Sequence, residues 1–320
     1  MRTRLTDMLG IEHPVMLAGM GGVSFHRLVA AVSDAGGFGT LGAATMSPEE
    51  LADEMAKVRE LTDKPFGVDL LAALPERMLE GSRQIVRGGA SLFVAGLGVP
   101  RDIIDVLHEG NVLVASMCGK VRHAVAAVEA GCDFVIAQGT EAGGHTGTVA
   151  TMPLVPQIVD AVGDRVPVVA AGGIFDGRGL AASLCLGADG VWVGTRFIAT
   201  PEARTVPGYK DALLRTPEDG TVISKGFTGK TLRAVRNKWT DHVERHPEEL
   251  APFPEQMMRA IQANALHLGG DEHAQVDPDK ECYPAGQGVG AIHELVPAGE
   301  LVRRFVAEAE RALDRVMSVR

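Results

Sequence analysis

Short apolar runs alternate with amphipathic stretches along the first 200 residues of the chain. Eight runs are apolar almost throughout and rich in Val, Ile or Leu, which is typical of strands buried on both faces of a parallel sheet. They span residues 14–18, 38–41, 66–70, 91–95, 112–115, 134–137, 167–170 and 190–193. Their number and even spacing favour an α/β fold of the closed (β/α)8 TIM-barrel type over a doubly wound open sheet.

Helix start and stop signals fill the gaps between these runs. Ser24 is predicted to cap a helix that Gly36 and Gly37 end, and residues 47–50 (SPEE) form a capping box with proline at the first helical position. Asp176 is predicted to cap a helix that Gly187 ends. Each signal supports the alternation of strands and helices.

After residue 200 the alternation stops, and residues 201–297 combine prolines, mixed charges and helical patches such as 255–268. We interpret them as a long insertion after strand 8, a substrate-side lid over the C-terminal mouth; a small separate domain is the alternative. A final helical stripe returns to the barrel: Leu301, Val302, Phe305, Val306, Ala309, Leu313 and Val316. The predicted barrel therefore comprises residues 1–200 and 298–320.

Composition excludes several classes of protein. With 46% hydrophobic and 22% charged residues the chain is an ordinary globular protein, and its net charge of −10 argues against nucleic acid or an anionic membrane as a partner. No apolar run approaches the roughly 18 residues of a membrane span. Four widely separated cysteines and the lack of a secretory signal predict a cytoplasmic protein with reduced thiols. The sequence is compatible with a homodimer but does not reveal the oligomeric state.

Two glycine turns follow the last two predicted strands. Gly172 and Gly173 end the first, and Gly194 and Thr195 end the second. Glycine lets backbone N–H groups approach an anion, and the threonine adds a hydroxyl donor. Tight turns alone could explain one such pair, but two in consecutive units at the end of a barrel predict a phosphate site.

A glycine-rich loop with one histidine, residues 138–147 (QGTEAGGHTG), follows the sixth run. Histidine titrates near neutrality and can take a proton from carbon. A loop histidine bonded to a nearby carbonyl is the alternative. Beside a phosphate site we favour His145 as a catalytic residue.

Other chemistries receive less support from the sequence. His242 and His246 have i, i+4 spacing but not the order of a zinc helix, so we predict no metal. Residues 19–22 (GMGG) do not form a Rossmann fingerprint and are better interpreted as a loop close to a flat ligand. A basic stretch is interpreted as a solvated face, or alternatively as a contact for an anionic tail such as a CoA phosphate: Lys225, Lys230, Arg233, Arg236 and Lys238.

At this point the sequence resembles the nitronate monooxygenases, formerly called 2-nitropropane dioxygenases. The resemblance rests on EAGGHTG (141–147), AAGGIFDGRG (170–179), LGADGVWVGTRF (186–197), GIEHPVMLAGM (10–20), KPFGVDL (64–70) and AGQGVG (285–290). It spans most of the chain and implies an FMN-dependent barrel. The family also includes flavin-dependent enoyl reductases, NADH:quinone reductases and flavoenzymes acting on CoA thioesters.

The resemblance implies roles for residues at matching positions. His145 would be the base that takes the carbon proton of a neutral nitroalkane. The implied FMN contacts are Ala18, Gly19 and Met20 beside the ring, Gln138, Gly143 and Gly144 lining the cofactor, Gly173, Gly194 and Thr195 on the phosphate, and Gln287 closing over the flavin.

Two positions depart from the family pattern. Asp69 stands where the family usually has an Asn that contacts the flavin, and an ionised carboxylate cannot donate a hydrogen bond. Asp69 is therefore turned away, or keeps its proton, or changes the redox behaviour. The first strand ends in Leu17-Ala18-Gly19-Met20, where many nitronate oxidisers have Ala-Pro-Met.

We therefore expect an FMN-dependent oxidoreductase that oxidises alkyl nitronates or nitroalkanes with O2. The alternative is an NAD(P)H-dependent enoyl reductase or dehydrogenase acting on acyl-CoA or acyl-carrier thioesters.

Overall fold

The computed structural model describes residues 1–70, 75–96 and 100–319. Its strands are β1 (Val15–Leu17), β2 (Gly39–Gly42), β3 (Phe66–Leu70), β4 (Leu92–Ala95), β5 (Leu113–Cys118), β6 (Phe134–Gln138), β7 (Gly144–His145), β8 (Val168–Ala171), β9 (Gly190–Val193), β10 (Thr221–Ser224) and β11 (Leu232–Val235). Eight of them form one parallel sheet in the order β1-β9-β8-β6-β5-β4-β3-β2. These eight match the eight predicted runs, with ends that differ by a few residues.

The two ends of this sheet meet between β1 and β2. The N–H of Leu17 donates to the carbonyl of Phe38 at 2.8 Å, and the N–H of Phe38 donates to the carbonyl of Val15 at 3.0 Å. These bonds bring the first and last strands of the order together, which confirms the predicted TIM barrel.

The core has two layers because each strand buries both faces. Side chains facing the barrel axis form one cluster, which includes Phe134, Ile136 and Trp192. Leu5 and Leu9 join this inner cluster. A larger cluster lies between the strands and the surrounding helices. The packed interior leaves the ends of the barrel as the place for chemistry.

The helices are α1 (Arg4–Leu9), α2 (His26–Asp34), α3 (Pro48–Leu61), α4 (Pro75–Arg87), α5 (Arg101–Glu109), α6 (Val121–Ala130), α7 (Thr151–Val162), α8 (Gly177–Cys185), α9 (Thr195–Ile198), α10 (Tyr209–Arg215), α11 (Lys238–Arg245), α12 (Glu255–Gln262) and α13 (Ala298–Met317). Ser47 accepts a bond from the N–H of Glu50, and Asp176 from those of Arg178 and Gly179, so both residues cap their helices as predicted, although Glu50 does not complete the predicted capping box among the described hydrogen bonds. Short 3-10 turns cover residues 43–45, 247–249 and 287–291.

The predicted cap at Ser24 is wrong. α2 begins after Phe25, and the Ser24 hydroxyl accepts the N–H of Met20 at 2.8 Å instead. The side chain of Glu54, on α3, takes the capping role by accepting the N–H of His26 at 2.9 Å. A contact from another helix thus replaces the local cap. The residues next to Ser24 in the sequence could not predict this contact.

The final helix packs against α8 and α2. Phe305 is fully buried there, and an added Cβ on Gly177 would overlap the backbone of α13, so the two helices cross in direct contact. Val316 is 61% exposed, so the buried stripe ends before this residue, contrary to the prediction.

The segment 201–297 adds a second, three-stranded sheet. β10 pairs with β11, and β11 pairs with β7, both antiparallel. β7 consists of Gly144 and His145, so the insertion is hydrogen-bonded to the histidine loop. The sequence did not predict this small sheet.

Candidate active site

The predicted site residues lie at the carboxyl ends of the barrel strands. Residues 18–20 follow β1, Asp69 lies near the end of β3, and Gln138 is the last residue of β6. Gly172 and Gly173 follow β8, and Gly194 and Thr195 follow β9. Because parallel strands end on the same face of a barrel, these residues share one mouth.

One wall of this mouth joins the ends of β1, β3 and β9. An added Cβ on Gly194 would lie 3.4 Å from the sulfur of Met20 and 3.6 Å from the Cβ of Ala18. An added Cβ on Gly19 would overlap the side chain of Asp69. Glycine is required at position 19 because the Asp69 side chain occupies the space beside its backbone.

The two glycine turns present unbonded backbone donors. Gly172 and Gly173 have φ of 104° and 73°, which glycine adopts without strain. Among the described residues, no acceptor receives a hydrogen bond from the N–H groups of Gly173, Gly194 or Thr195. The Thr195 hydroxyl accepts the N–H of Gly286 at 3.0 Å, which leaves its own hydrogen available to donate.

The late AGQGVG segment packs directly on the histidine loop. An added Cβ on Gly143 would lie 2.7 Å from the carbonyl carbon of Ala285 and 2.8 Å from the nitrogen of Gly286. The N–H of Gln287 donates to the carbonyl of Glu141 at 2.8 Å. These contacts place Gln287 at the mouth beside Gly143.

Glu141 and Thr151 support the loop, and the sequence did not single out either for this role. One carboxylate oxygen of Glu141 accepts both the N–H and the hydroxyl of Thr151, each at 2.7 Å. The Thr151 oxygen also lies 3.0 Å from the carbonyl of Gly172. The side chains of Glu141 and Thr151 therefore connect the histidine loop to the turn after β8.

His145 is held through its backbone and its side chain. Its carbonyl accepts a bond of 2.7 Å from the side-chain amide of Gln138, and β11 pairs with it at Leu232. The imidazole Nε2 lies 3.0 Å from the hydroxyl oxygen of Thr228. The alternative prediction was a hydrogen bond between the His145 side chain and a nearby carbonyl. Among the described residues, the imidazole contacts the Thr228 hydroxyl instead.

The surroundings favour the neutral form of His145. Partial burial lowers the pKa of His145, and the nearby Lys230 cation lowers that pKa further. The residue is exposed to solvent. A neutral, solvent-accessible histidine is suited to accept a proton near neutral pH.

The cations of the basic stretch differ in their partners, and the Lys230 ammonium lies 4.2 Å from the centroid of the Phe253 ring. Arg236 pairs with Asp241 and Glu244, and Lys238 pairs with Asp279. Arg233 is buried, where its guanidinium donates to the carbonyl of Thr140 at 3.0 Å and to the hydroxyl of Thr221 at 3.1 Å. Within the described ranges, Lys225 and Lys230 make no ion pair.

Asp69 has the most perturbed carboxyl group at the mouth. Burial raises its pKa to about 8 from an ordinary value of 3.8. Among the groups that the structure describes, none donates a hydrogen bond to this carboxyl. A pKa in this range favours the protonated carboxyl at neutral pH, the form that can donate a hydrogen bond.

Titratable side chains outside the predicted site include a histidine cluster and four cysteines. The rings of His242 and His246 lie 4.7 Å apart; Nε2 of His242 lies 2.8 Å from a carboxylate oxygen of Glu249, and Nδ1 of His246 lies 3.4 Å from one of Glu248. All four cysteines are free thiols. Among the helices that the structure describes, none combines the length and apolar character needed to cross a membrane.

Comparison with known sequences identifies relatives over most of the chain. The sequence model of the family described as nitronate monooxygenase matches residues 2–81 and 82–308. A Mycobacterium tuberculosis protein named (3aS,4S,5R,7aS)-5-hydroxy-7a-methyl-1-oxo-octahydro-1H-indene-4-carboxyl-CoA dehydrogenase is 43% identical, over 76% of this chain and 69% of its own length. A probable nitronate monooxygenase of Staphylococcus aureus (strain JH9) is 33% identical, over 85% of this chain and 89% of its own length.

Solved structures agree with these relatives. FabK from Thermotoga maritima superimposes with a TM-score of 0.89 at 32% identity, covering 99% of both chains. A nitroalkane oxidase from Streptomyces ansochromogenes has a TM-score of 0.82 at 30% identity, covering 98% of this chain and 99% of that one.

Proposed function

Because the chain belongs to the nitronate monooxygenase family, we propose that it is an FMN-dependent oxidoreductase that oxidises alkyl nitronates with O2. The observation that carries the proposal is the position of His145. His145 is solvent-exposed and follows β6, at the same end of the barrel at which the turns after β8 and β9 present unbonded N–H groups. A base and an anion cradle are thereby combined at one end of the barrel.

The residues present fit an FMN phosphate. Gly173, Gly194 and Thr195 offer three backbone N–H groups and a hydroxyl, and these are the donors that a phosphate accepts from. An added Cβ on Gly144 would meet nothing within 4 Å, so the loop beside His145 leaves room for a flat group. Bound there, FMN would supply the electron acceptor that the side chains lack.

His145 would act first on a neutral nitroalkane. The C–H bond next to the nitro group breaks, its proton moves to the imidazole, and its electron pair remains on the substrate as the nitronate. The lowered pKa of His145 keeps the imidazole unprotonated before this step. A preformed nitronate has already lost that proton and does not require the base.

Anaerobic mixing of the purified yellow protein tests this function. Ethylnitronate or propionate-3-nitronate should reduce the flavin, whereas NADH should not. The substitution His145→Asn should lower turnover of neutral nitroethane by about 100-fold or more and that of ethylnitronate by much less. A flavin that stays oxidised with every nitronate, or a colourless protein that takes up no FMN, contradicts the proposal.

A second candidate is a flavin-dependent reductase or dehydrogenase that acts on an acyl thioester. The relative named a CoA dehydrogenase supports it, and so do the exposed cations Lys225 and Lys230, which make no ion pair among the described residues. Rapid bleaching of the flavin by NADH or NADPH, or anaerobic bleaching by a saturated acyl-CoA, would favour this candidate. Lack of affinity for acyl-CoA would count against it.

A further inference from the structure

Thr228 contacts the proposed base and is itself tightly placed. Its side chain is 6% exposed, and its hydroxyl oxygen lies 3.0 Å from Nε2 of His145. The same oxygen lies 3.3 Å from the carbonyl oxygen of Lys230 and 3.3 Å from the nitrogen of Lys230. Three polar atoms therefore share one hydroxyl group.

The number of hydrogens limits how these contacts are made. A hydroxyl has one hydrogen to donate and two lone pairs that accept. The carbonyl of Lys230 can only accept, so the hydroxyl hydrogen of Thr228 points to it. The N–H of Lys230 can only donate, so one lone pair of the hydroxyl oxygen accepts it. The second lone pair is left for Nε2 of His145, which must then carry a hydrogen and donate it.

The opposite assignment satisfies fewer groups. If the Thr228 hydroxyl donated to Nε2, the carbonyl of Lys230 would have no donor among the residues that the structure describes. The first assignment bonds all three partners, whereas the opposite one leaves the Thr228 hydroxyl oxygen and the Lys230 carbonyl oxygen 3.3 Å apart with no hydrogen between them.

We propose that Thr228 is a positioning residue that selects the Nε2-protonated tautomer of His145 and leaves Nδ1 as the nitrogen that accepts the substrate proton. A neutral imidazole carries one ring hydrogen, so a hydrogen on Nε2 means a lone pair on Nδ1. The inference rests on the proposed function, which makes His145 the base, and adds which nitrogen acts and what selects it.

The turn that carries Thr228 is fixed from behind. Gly229 has φ of 79°, and an added Cβ there would lie 2.5 Å from the nitrogen of Phe253 and 2.8 Å from the carbonyl carbon of Pro252. The N–H of Gly229 donates to the carbonyl of Lys225 at 2.8 Å. A backbone packed this closely holds the hydroxyl where Nε2 meets it.

Charged groups on the neighbouring elements are consistent with a neutral imidazole. Lys230 on the same turn disfavours a second positive charge on His145. Arg233 on β11 and Glu141 in the histidine loop lie close enough to interact with each other and oppose one another in sign. A neutral imidazole can carry its one ring hydrogen on either nitrogen, and the hydroxyl of Thr228 selects Nε2.

Nuclear magnetic resonance tests the tautomer without any turnover. In protein labelled with 15N-histidine, the His145 signals are identified by their loss in His145→Asn. The wild type should show a protonated Nε2 and an unprotonated Nδ1, Thr228→Ser should show the same, and Thr228→Val should lose this preference. A protonated Nδ1 in the wild type, or an unchanged tautomer in Thr228→Val, overturns the inference.

Kinetics then separate positioning from general damage. Thr228→Val should lower kcat/KM for neutral nitroethane by about tenfold, change that for ethylnitronate by less than about twofold, and be largely restored in Thr228→Ser. Thr231→Val is the matched control, because the Thr231 hydroxyl makes no hydrogen bond among the described residues. Equal losses on both substrates would refute the positioning role.

The two proposals fail in different ways. If His145→Asn left nitroethane turnover unchanged, the base assignment would fall, and the NMR result would still report whether Thr228 selects the tautomer. If His145→Asn abolished that turnover while Thr228→Val left it unchanged, the proposed function would stand and the positioning role would fall.

Discussion

Asp69→Asn replaces a buried carboxyl at the barrel mouth with an amide of nearly the same shape. Asp69 lies near the end of β3 with its side chain against the backbone of Gly19. Burial raises its pKa from 3.8 to about 8. The folded protein therefore holds a proton up to about pH 8 that the unfolded chain releases near pH 4.

The sign of the pH effect follows from this difference. Between pH 3.8 and about 8 the folded state binds the proton and the unfolded state does not, so raising the pH lowers the free energy of unfolding. The contribution is fully present below 3.8 and is lost above about 8. The whole span corresponds to about 6 kcal/mol. Because Asp69 retains some contact with solvent, water and local relaxation reduce this cost, and we expect about 2–4 kcal/mol.

Urea unfolding at intervals from pH 5 to pH 9 measures the effect. The stability of Asp69→Asn relative to wild type should increase with pH and reach a plateau above about pH 8. Asp164→Asn, at an exposed carboxylate, is the matched control and should follow the wild-type curve. Parallel pH curves for wild type and Asp69→Asn would refute the assignment of a retained proton.

Two pairs of substitutions test the packing on which the site depends, both by urea unfolding. Gly143→Ala should cost about 1–3 kcal/mol because its methyl meets the backbone of Ala285, whereas Gly147→Ala, whose added methyl would have its nearest atom at 3.5 Å, should stay within about 0.5 kcal/mol. Phe305→Ala should cost about 3–5 kcal/mol and Val316→Ala, which is 61% exposed, less than about 0.5 kcal/mol. Equal losses within either pair would contradict the packing described above.

The barrel could be predicted because its signals are local. Each buried strand is a short apolar run, and residues such as Ser47 and Asp176 cap helices through their own neighbours. The glycine turns after β8 and β9 could be recognised for the same reason. The predictions failed where tertiary contacts replaced local ones, as at Ser24, where Glu54 from α3 takes over the cap.

The small sheet could not be predicted, because its strands are weak on their own. β7 has two residues, β10 and β11 have four each, and their pairing joins positions 145 and 232. Thr228 carried no signal either, since a lone threonine in a polar stretch has no pattern that points to a histidine far away in the chain. Arg233 belonged to a recognised basic stretch, but its burial against Thr140 depends on the same pairing.

The pairing of β7 with β11 also links His145 to residues 221–235. The turns that we propose hold the flavin phosphate follow β8 and β9, and Thr195 also accepts a hydrogen bond from Gly286. His145 depends on the insertion for its strand partner, for the Thr228 contact and for the nearby charge of Lys230. Substitutions at Thr228 and Lys230 can therefore alter proton transfer to His145 without disturbing the turns that we propose hold the flavin phosphate. The specificity of this enzyme should accordingly change more through residues 221–235 than through the barrel.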